Sequence, residues 1–261
     1  HILLTGASGF LGSIIAELLA QQNLRFSILR SGKAPHQGPI NVPSFHAPSS
    51  LAEHELTGTL QGTNITHILH VGALSSPEAC ERDHQHAHGA NVAFTQMLAL
   101  YAASNGIHLT TVSTDLVFDG SKAPPAGFLE ADQTAPTSVY ALTKRDAERV
   151  TLKTPTNAVV RLALIYGHSP SHSKGVLGWM ERAFLERRPV PLFEDEFRTP
   201  VHVREAAHAV TEVSRLKLQG IWHCGGPERI SRVAFGQDVA RAFRFDEGLI
   251  QPSTRVSPTM V

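Results

Sequence analysis

The sequence contains little cysteine, no excess charge of either sign and no long hydrophobic run. Its two cysteines, Cys80 and Cys224, lie far apart and outside any Cys-x-x-Cys pattern. We therefore expect neither a disulfide framework nor a zinc site, and we expect a reducing, cytoplasmic compartment. The 23 basic and 23 acidic residues give a formal net charge of +0, which argues against nucleic acid or an anionic membrane as a partner. No apolar run is long enough for a membrane span.

The chain does have enough apolar material for a full core. With 261 residues, of which 42% are hydrophobic, it fits one compact unit or a large domain with a small appendage. Residues 1–20 have the pattern of a strand and a helix rather than that of a signal peptide. Because His1 already lies in the first predicted strand, we expect the natural chain to begin further upstream, which leaves a targeting segment there open.

Strand-like and helix-like segments alternate along the first two thirds of the chain. The predicted strands cover residues 2–5, 25–30, 42–46, 66–71, 108–113 and 157–162. The predicted helices cover residues 10–22, 50–60, 78–104, 138–152 and 173–187. After about residue 165 the pattern loosens, and we predict a helix near 203–216, a strand at 221–223 and a helix that Ser231 opens as N-cap.

This alternation predicts an α/β fold with a doubly wound, Rossmann-type parallel sheet. We assign residues 1–165 to a dinucleotide-binding Rossmann domain. We assign residues 166–261 to a smaller, interleaved C-terminal substrate-binding region that partly returns to the main sheet. In such a sheet a ligand binds at the carboxyl ends of the strands, so the residues that follow each strand are the candidate site residues.

A glycine-rich turn joins the first predicted strand to the first predicted helix. The stretch Thr5-Gly6-Ala7-Ser8-Gly9-Phe10-Leu11-Gly12 spaces its glycines three residues apart. Glycine permits positive φ and a close approach to a ligand, and the helix behind it directs free N–H groups and its positive dipole end at a pyrophosphate. A plain glycine turn is the alternative, but the flanking strand and helix favour a dinucleotide site. That site would be formed by Gly6, Ser8, Gly9, Phe10, Leu11 and Gly12.

Three further polar elements point to a reaction. Ser113-Thr114-Asp115 ends the fifth predicted strand, where side chains face a ligand. Tyr140 and Lys144 lie four residues apart near the start of a predicted helix and so share one face. The ammonium would lower the pKa of the phenol, which could then exchange a proton with a substrate oxygen. Alone, the pair would suit a solvated helix surface equally well, but its order behind the glycine loop favours chemistry. The third element is Asn91, in the preceding long predicted helix.

The end of the second predicted strand bears on the cofactor. An acidic residue there would bind the ribose 2′-hydroxyl of NAD, but the strand ends in Leu29-Arg30-Ser31, with Lys33 close by. Arg30 is placed to meet a 2′-phosphate, so we predict NADP(H) as the preferred cofactor and NAD(H) as the second candidate. A solvated arginine at a strand end is the alternative.

Histidine is abundant, with 15 residues, and three of them crowd one segment around residues 84–88. His84 and His88 lie four residues apart, a spacing that can hold a metal on a helix. No carboxylate motif such as His-Glu-x-x-His accompanies them. We therefore expect a solvated helix start and no metal site.

Together these motifs resemble a known superfamily. The glycine loop, Asn91-Val92, Ser113-Thr114-Asp115-Leu116-Val117-Phe118-Asp119-Gly120, Tyr140-x-x-x-Lys144 and the stretch from Arg161 to Gly167 occur in the order seen in extended short-chain dehydrogenases/reductases. Within that group, the Ser-Thr-Asp-x-Val-Phe-Asp-Gly stretch is similar to that of the dTDP-4-dehydrorhamnose reductases. Residues 198–203 and 220–226 are similar to the substrate-side elements of the same family.

The resemblance implies an NADP(H)-dependent reduction of a nucleotide-linked 4-keto-6-deoxy sugar. Thr114, Tyr140 and Lys144 would form the catalytic triad, and Tyr140 would protonate the C4 oxygen as that carbon receives a hydride. Lys144 would also hold the nicotinamide ribose. Asn91 would help to position a proton-relay water.

The resemblance also implies binding residues outside the motifs already described. Gly72 and Ala73, just after the fourth predicted strand, would line the adenosine side of the cofactor. Asp115 and Arg198 would contact the sugar or its diphosphate, since the planar fork of arginine binds phosphate with two hydrogen bonds.

Departures from the family pattern leave the exact function open. The family usually has an aromatic residue after Ser-Thr-Asp and often a tryptophan near 164, whereas this chain has Leu116 and Leu164. The third predicted strand ends at 45–48 without the acidic residue often found there. A dehydratase would carry an acidic pair where this chain has only Asp115, which favours a reductase.

Two alternatives to a reductase follow from the same resemblance. One is a nucleotide-sugar epimerase. The other is an NADP-binding regulatory subunit, similar to that of methionine adenosyltransferase, which has a similar fold and acts by binding a partner. Dimerisation through helices on one sheet face is common in the superfamily, so a homodimer is a further expectation.

Overall fold

A computed structural model describes residues 1–31, 42–48, 50–169 and 175–255 of the chain. Its centre is a seven-stranded sheet in which neighbouring strands are parallel. In spatial order the strands are β11 (Gly220–Cys224), β6 (Ala158–Leu162), β5 (His108–Thr114), β4 (His67–His70), β1 (Ile2–Thr5), β2 (Phe26–Arg30) and β3 (Ser44–His46). The doubly wound parallel sheet predicted from the sequence is thus confirmed.

Helices cover both faces of this sheet. They are α1 (Phe10–Gln21), α2 (Glu53–Thr59), α3 (Pro77–Arg82), α4 (His84–His88), α5 (Phe94–Ser104), α6 (Val139–Thr151), α7 (Val176–Leu185), α8 (Val203–Arg215) and α9 (Arg232–Phe243). Successive residues of a strand point to opposite faces, and accordingly Leu4 packs in an apolar cluster with residues of α1 and α8, whereas Leu3 packs with residues of α2 and α5. Both faces of β1 are therefore buried, as the short apolar strands predict. No helix in the described ranges is long and apolar enough to cross a membrane.

The strand order places a crevice between β1 and β4. From β1 the chain builds outward through β2 and β3, and then crosses back to β4 and builds in the opposite direction. Loops that leave β1 and β4 at their carboxyl ends therefore turn away from each other. This reversal is where ligands bind in open α/β sheets.

The helix predicted over 78–104 is wrong as one continuous element. It consists of α3, α4, a π-helical turn at Gly89–Ala93 and α5. Asp83 breaks it with extended backbone angles of φ −143° and ψ 87°, while its carboxylate accepts a hydrogen bond from the His86 N–H at 2.9 Å. Ser76 caps the first segment in the same way. Short polar side chains form such bonds to nearby backbone groups at helix ends. The spacing of apolar residues does not reveal these bonds.

Two other predicted elements are shorter than expected or only partly described. The strand predicted over 42–46 begins at Ser44, and the helix predicted over 173–187 is observed as α7, from Val176 to Leu185. Residues 173 and 174 lie outside the described residues, as does Lys33.

The C-terminal part contributes one strand to the main sheet and builds a core of its own. β11 pairs with β6, and α9 begins behind the predicted cap Ser231, whose hydroxyl accepts a hydrogen bond from the Ala234 N–H at 3.0 Å. A third apolar cluster joins α7 and α9. The division of the chain at residue 165 stays a prediction.

Six short strands in this part lie outside the prediction, because two to four residues show no usable alternation. They are β7 (Ile165–Tyr166), β8 (Val190–Phe193), β9 (Phe197–Arg198), β10 (Val201–His202), β12 (Ile230–Ser231) and β13 (Ile250–Ser253). They form three two-stranded pairs, β7 with β10, β8 with β13 and β9 with β12. The antiparallel pair β9–β12 holds Arg198 beside the main sheet.

Candidate active site

A cleft of about 1280 Å³ opens at the carboxyl ends of the parallel strands. All predicted cofactor residues line it: Gly6, Ser8, Gly9, Phe10, Leu11, Gly12, Arg30, Gly72, Ala73, Tyr140 and Lys144. Thr114 lines it too, whereas Asn91, Asp115 and Arg198 do not. The structure therefore brings together the predicted cofactor residues and the predicted triad, and it places the predicted substrate residues beside them.

The glycine loop is packed so tightly that side chains are excluded at two positions. Gly6 has φ +71°, and a Cβ atom there would lie 2.6 Å from the backbone nitrogen of Gly72. A Cβ atom on Gly12 would lie 2.0 Å from the carbonyl oxygen of Gly6. The turn thus leaves backbone N–H groups at the start of α1 free to face the cleft. This arrangement suits a pyrophosphate and a dinucleotide cofactor.

A buried chain of hydrogen bonds supports the floor of this cleft. The Gly72 N–H donates to Thr5 Oγ1 at 3.2 Å, and Thr5 Oγ1 lies 2.7 Å from His70 Nδ1. On the other side, His70 Nε2 lies 3.0 Å from Thr95 Oγ1, which donates to the Asn91 carbonyl at 2.6 Å. The Thr95 hydroxyl has one proton and donates it to the Asn91 carbonyl, so it must accept a hydrogen bond from His70. His70 therefore carries its proton on Nε2 and accepts a hydrogen bond from Thr5 at Nδ1.

His70 is expected to make the fold sensitive to acid. Burial, and less so the Lys144 ammonium, lower the pKa of His70 from 6.5 to about 3. Between these values the unfolded chain binds a proton that the folded chain does not, so stability falls as the pH falls through this window. We expect this residue to remove about 2 kcal/mol of unfolding free energy between pH 7 and pH 5.

Urea denaturation at several pH values measures this loss. His70→Asn, which does not titrate, should show a shallower dependence of the unfolding free energy on pH between 5 and 7. Equal slopes for the variant and the wild type would contradict the assignment of a neutral, buried His70.

Asn91 joins the cleft wall to α6. Its Oδ1 accepts from the Leu74 N–H at 2.7 Å, and its Nδ2 donates to the Leu74 carbonyl at 3.3 Å and to Thr143 Oγ1 at 2.9 Å. Both amide protons are used, and the residue is buried. Asn91 thus acts on the site through Leu74 and Thr143, and a role in holding a relay water stays a prediction.

The triad residues meet at the inner end of the cleft. Thr114, the last residue of β5, lies beside Tyr140 in α6, close enough for its hydroxyl to affect the pKa of the phenol. Lys144, one turn further along α6, is buried and donates to the Val112 carbonyl at 2.7 Å. A phenol, a hydroxyl and an ammonium therefore share the inner end of the cleft, which suits proton transfer to a ligand oxygen.

The expected lowering of the phenol pKa is wrong for this protein without cofactor. Burial and the Asp115 carboxylate raise the pKa of Tyr140 to about 12, although the neighbouring Thr114 hydroxyl opposes them. Burial lowers the pKa of Lys144 to about 8, against the attraction of Glu148. At neutral pH Tyr140 therefore carries its proton and is ready to act as an acid.

A buried ion pair supports the triad from below. Arg161 Nη2 lies 2.8 Å from Glu148 Oε2, and both side chains are almost fully buried. Glu148 also accepts a hydrogen bond of 2.5 Å from Ser113, the neighbour of Thr114 in β5. The guanidinium of Arg161 lies 5.0 Å from the ring centre of Phe118. This network ties β5, α6 and β6 together directly behind Thr114.

Asp115 and Arg198 bind each other rather than an open site. Arg198 donates from Nε to Asp115 Oδ2 at 2.7 Å and from Nη2 to Asp115 Oδ1, so the planar fork expected to hold a phosphate holds a carboxylate. Thr114 Oγ1 donates to Asp115 Oδ1 at 3.3 Å. Direct contact of Asp115 or Arg198 with a substrate stays a prediction.

One cationic residue near this pair lies outside the prediction. Arg232, the first residue of α9, has its pKa lowered by burial and by Arg198 and raised by Glu196. Its backbone N–H donates to the Glu196 carbonyl at 3.0 Å. Because Arg198 and Arg232 are 34 residues apart in the sequence, no local spacing could have linked them.

Arg30 fits an anion in the cleft. It ends β2, and its Nε atom is buried without a hydrogen-bond partner among the described residues. A buried donor without a partner is costly, and a phosphate on a cofactor ribose would satisfy it. The residues present therefore fit the predicted dinucleotide.

The histidine-rich segment is exposed. His84 lies 3.8 Å from Glu81 across one helical turn, with both side chains solvated. Of the described residues, no group of three or more histidines, cysteines or acids is arranged to hold a metal ion. His86 lines the cleft.

The fold and the site define an NAD(P)-dependent oxidoreductase of the short-chain dehydrogenase/reductase type. The family model of the RmlD substrate binding domain matches residues 1–260, and the chain belongs to this family. It is 30% identical over 262 residues to dTDP-4-dehydrorhamnose reductase of Mycobacterium tuberculosis, covering 99% of this chain and 78% of that protein.

Two further relatives broaden the comparison. Methionine adenosyltransferase 2 subunit beta of Xenopus laevis is 27% identical over 259 residues, covering 97% of this chain and 75% of that protein. The crystal structure of a dTDP-4-dehydrorhamnose reductase from Bacillus anthracis in complex with NADP superposes with a TM-score of 0.82 at 20% identity, covering 97% of this chain and 83% of that one. The relatives are thus named for a reductase and for a subunit of methionine adenosyltransferase 2.

Proposed function

We propose that this protein reduces the 4-keto group of a nucleotide-linked 6-deoxy sugar with NADPH. This is the reaction that the name dTDP-4-dehydrorhamnose reductase gives to two of its relatives. The observation that carries the proposal is that Thr114, Tyr140 and the buried Lys144 meet inside the cleft that the glycine loop lines. A bound nicotinamide would supply the hydride. The residues of this chain would supply the proton and hold the reacting groups in position.

The proton would come from Tyr140. Its raised pKa keeps the phenol protonated at neutral pH, so it can give its proton to the C4 oxygen as that oxygen gains charge. Thr114 would orient the phenol and stabilise the phenolate that remains, since its hydroxyl can then donate to Tyr140. Lys144 would hold the nicotinamide ribose and add positive charge next to the phenolate.

The substrate diphosphate would lie on the C-terminal side of the triad. Arg232, a partly buried cation on that side of the site, is the residue we propose for it. A nucleotide-linked sugar is therefore the proposed small-molecule partner. Leu116 and Leu164 replace the aromatic residues of the family pattern, so we expect the sugar to be held by fewer ring contacts.

The first experiment follows NADPH absorbance with purified protein and dTDP-4-keto-6-deoxy-mannose, beside the same sugar without the nucleotide. Consumption of NADPH with the nucleotide sugar alone supports the proposal. Product analysis separates reduction from epimerisation, because an epimerase would return a sugar with its keto group unchanged and consume no NADPH. NADPH binding without either product would contradict the proposed reaction.

Arg30 is the residue we propose for cofactor choice. Removing its charge in Arg30→Ser should weaken NADPH binding by about 10- to 100-fold, the value of a charge-assisted hydrogen bond, and should leave NADH binding nearly unchanged. Fluorescence titration of both cofactors measures this difference. Arg25→Ser, an exposed arginine at the start of the same strand that does not line the cleft, is the matched control. Equal losses for NADPH and NADH would argue against a 2′-phosphate contact.

A second candidate function is an NADP-binding regulatory subunit. Its support is the likeness to methionine adenosyltransferase 2 subunit beta over 97% of the chain, together with Leu116 in place of an aromatic residue. Incubation with a purified methionine adenosyltransferase catalytic subunit, followed by gel filtration, tests it. Co-elution with no sugar turnover would favour this candidate over the reductase.

A homodimer and a cytoplasmic location are further proposals. The pair α5 and α6 packs side by side and leaves Leu100 and Leu142 exposed, which suits contact with a second copy. Both cysteines carry free thiols, which suits a reducing compartment. Light scattering of the purified chain measures the first, and localisation in the source cell measures the second.

A further inference from the structure

We propose that Asp115 and Arg198 act as one positioning unit that orients Thr114 towards Tyr140 and controls when Tyr140 gives up its proton. Only the kinetic test of this proposal depends on the proposed function, because that test needs turnover. It replaces the expectation that both residues bind the substrate directly.

The geometry of the hydroxyl of Thr114 is the first step. Thr114 Oγ1 accepts a hydrogen bond from the Leu116 N–H at 3.2 Å and donates to Asp115 Oδ1 at 3.3 Å. A hydroxyl has one proton and two lone pairs. While Asp115 takes that proton, the remaining lone pair of Thr114 is left to accept from the protonated phenol of Tyr140.

Loss of the proton from Tyr140 reverses this arrangement. A phenolate can only accept, so the Thr114 hydroxyl must turn from Asp115 to Tyr140. Asp115 then loses one hydrogen bond but keeps both bonds from Arg198. Arg198 thus keeps the carboxylate satisfied in either state, which permits the hydroxyl to turn without leaving the half-buried Asp115 charge unpaired.

The groups that face Tyr140 act in opposite directions. Asp115 and Cys80 raise the pKa of the phenol, whereas the neighbouring Thr114 hydroxyl and Arg198 lower it. Lys144 is on the same helix, one turn away, with its ammonium on the Val112 carbonyl. Among these groups Asp115 is the only anion at neutral pH, since burial raises the pKa of the Cys80 thiol.

A titration that needs no turnover tests the proposal. The chain has three tyrosines, so replacing them with 3-fluorotyrosine gives three fluorine signals, and Tyr140→Phe identifies the one from Tyr140. The fluorinated phenol is more acidic, which brings its titration into a pH range where the protein stays folded. Asp115→Asn should lower the pKa of this phenol by about one unit. Adding Arg198→Met should move it part of the way back.

Asp146→Asn is the matched control. Asp146 lies on the same helix as Tyr140 and pairs with Arg145 and Arg149 at the surface, so its loss should leave the Tyr140 signal unmoved. An unmoved signal in Asp115→Asn, or an equal shift in Asp146→Asn, would overturn the proposal.

Kinetics provide the second arm. If the protein reduces the nucleotide sugar, Asp115→Asn should shift the alkaline loss of kcat to lower pH by about one unit and change KM for the sugar less than threefold. A large rise in KM with an unmoved pH profile would show direct sugar binding and overturn the positioning role. If the wild type turns over no sugar, the proposed reaction fails, while the fluorine titration still decides the proposal.

Discussion

Replacing Tyr140 with phenylalanine is expected to lower kcat for sugar reduction by about 10²- to 10⁴-fold, the usual contribution of a positioned general acid. The ring keeps its shape and packing, and only the hydroxyl beside Thr114 is lost. NADPH binding should change little, since the ring still lines the cleft. Steady-state rates at saturating NADPH and sugar measure the loss.

Tyr166→Phe is the matched control for this prediction. Tyr166 lies in β7, and its ring packs against Phe235 and His202, away from the triad. That variant should keep nearly full activity. Should Tyr140→Phe also keep it, the proton must come from another group, and the mechanism proposed for the cleft would be incorrect.

Replacing Arg161 with methionine is expected to remove about 3–5 kcal/mol of unfolding free energy. The change leaves the Glu148 carboxylate buried with the Ser113 hydrogen bond and the attraction of Lys144 as its remaining partners. It also removes the contact with the Phe118 ring. Urea denaturation followed by circular dichroism measures the change.

Two companions make this result interpretable. Arg215→Met breaks an exposed ion pair with Glu212 and should cost less than about 1 kcal/mol. The double change Arg161→Met and Glu148→Leu removes both charges of the pair and should recover part of the loss, because no carboxylate is then left unpaired and only Lys144 loses the attraction of Glu148. Equal costs for Arg161→Met and Arg215→Met would show that the buried pair does not hold the fold.

Much of the fold and of the cofactor site was predictable because their signals are local. The glycine loop follows a strand and opens a helix within eight residues, so Gly6, Gly9 and Gly12 could be assigned from spacing alone. Tyr140 and Lys144 share a helix face four residues apart, and the structure places both in the cleft. The periodic strands and helices that carry these motifs were long enough to recognise.

What escaped prediction depends on contacts between distant residues. Asp115 and Arg198 are 83 residues apart. From the sequence alone, each is as well suited to contact a substrate as to form an ion pair with the other. The break at Asp83 arises from a side-chain bond to the backbone, and the spacing of apolar residues shows neither this break nor the π-helical turn that carries Asn91. The direction of the Tyr140 pKa also follows from burial, which only the folded chain determines.

The hydrogen-bond chain from Gly72 through Thr5, His70 and Thr95 to Asn91 has an evolutionary consequence. The side chains of Thr5, His70 and Thr95 all donate their hydrogen bonds in the same direction along it. Replacing one of them with a residue of the opposite donor or acceptor character therefore also leaves its neighbours without a hydrogen-bond partner. Single changes along the chain should be strongly non-additive in double-mutant cycles. Substitution at these positions is therefore expected to be concerted, with His70 and Thr95 exchanged as a pair rather than one at a time.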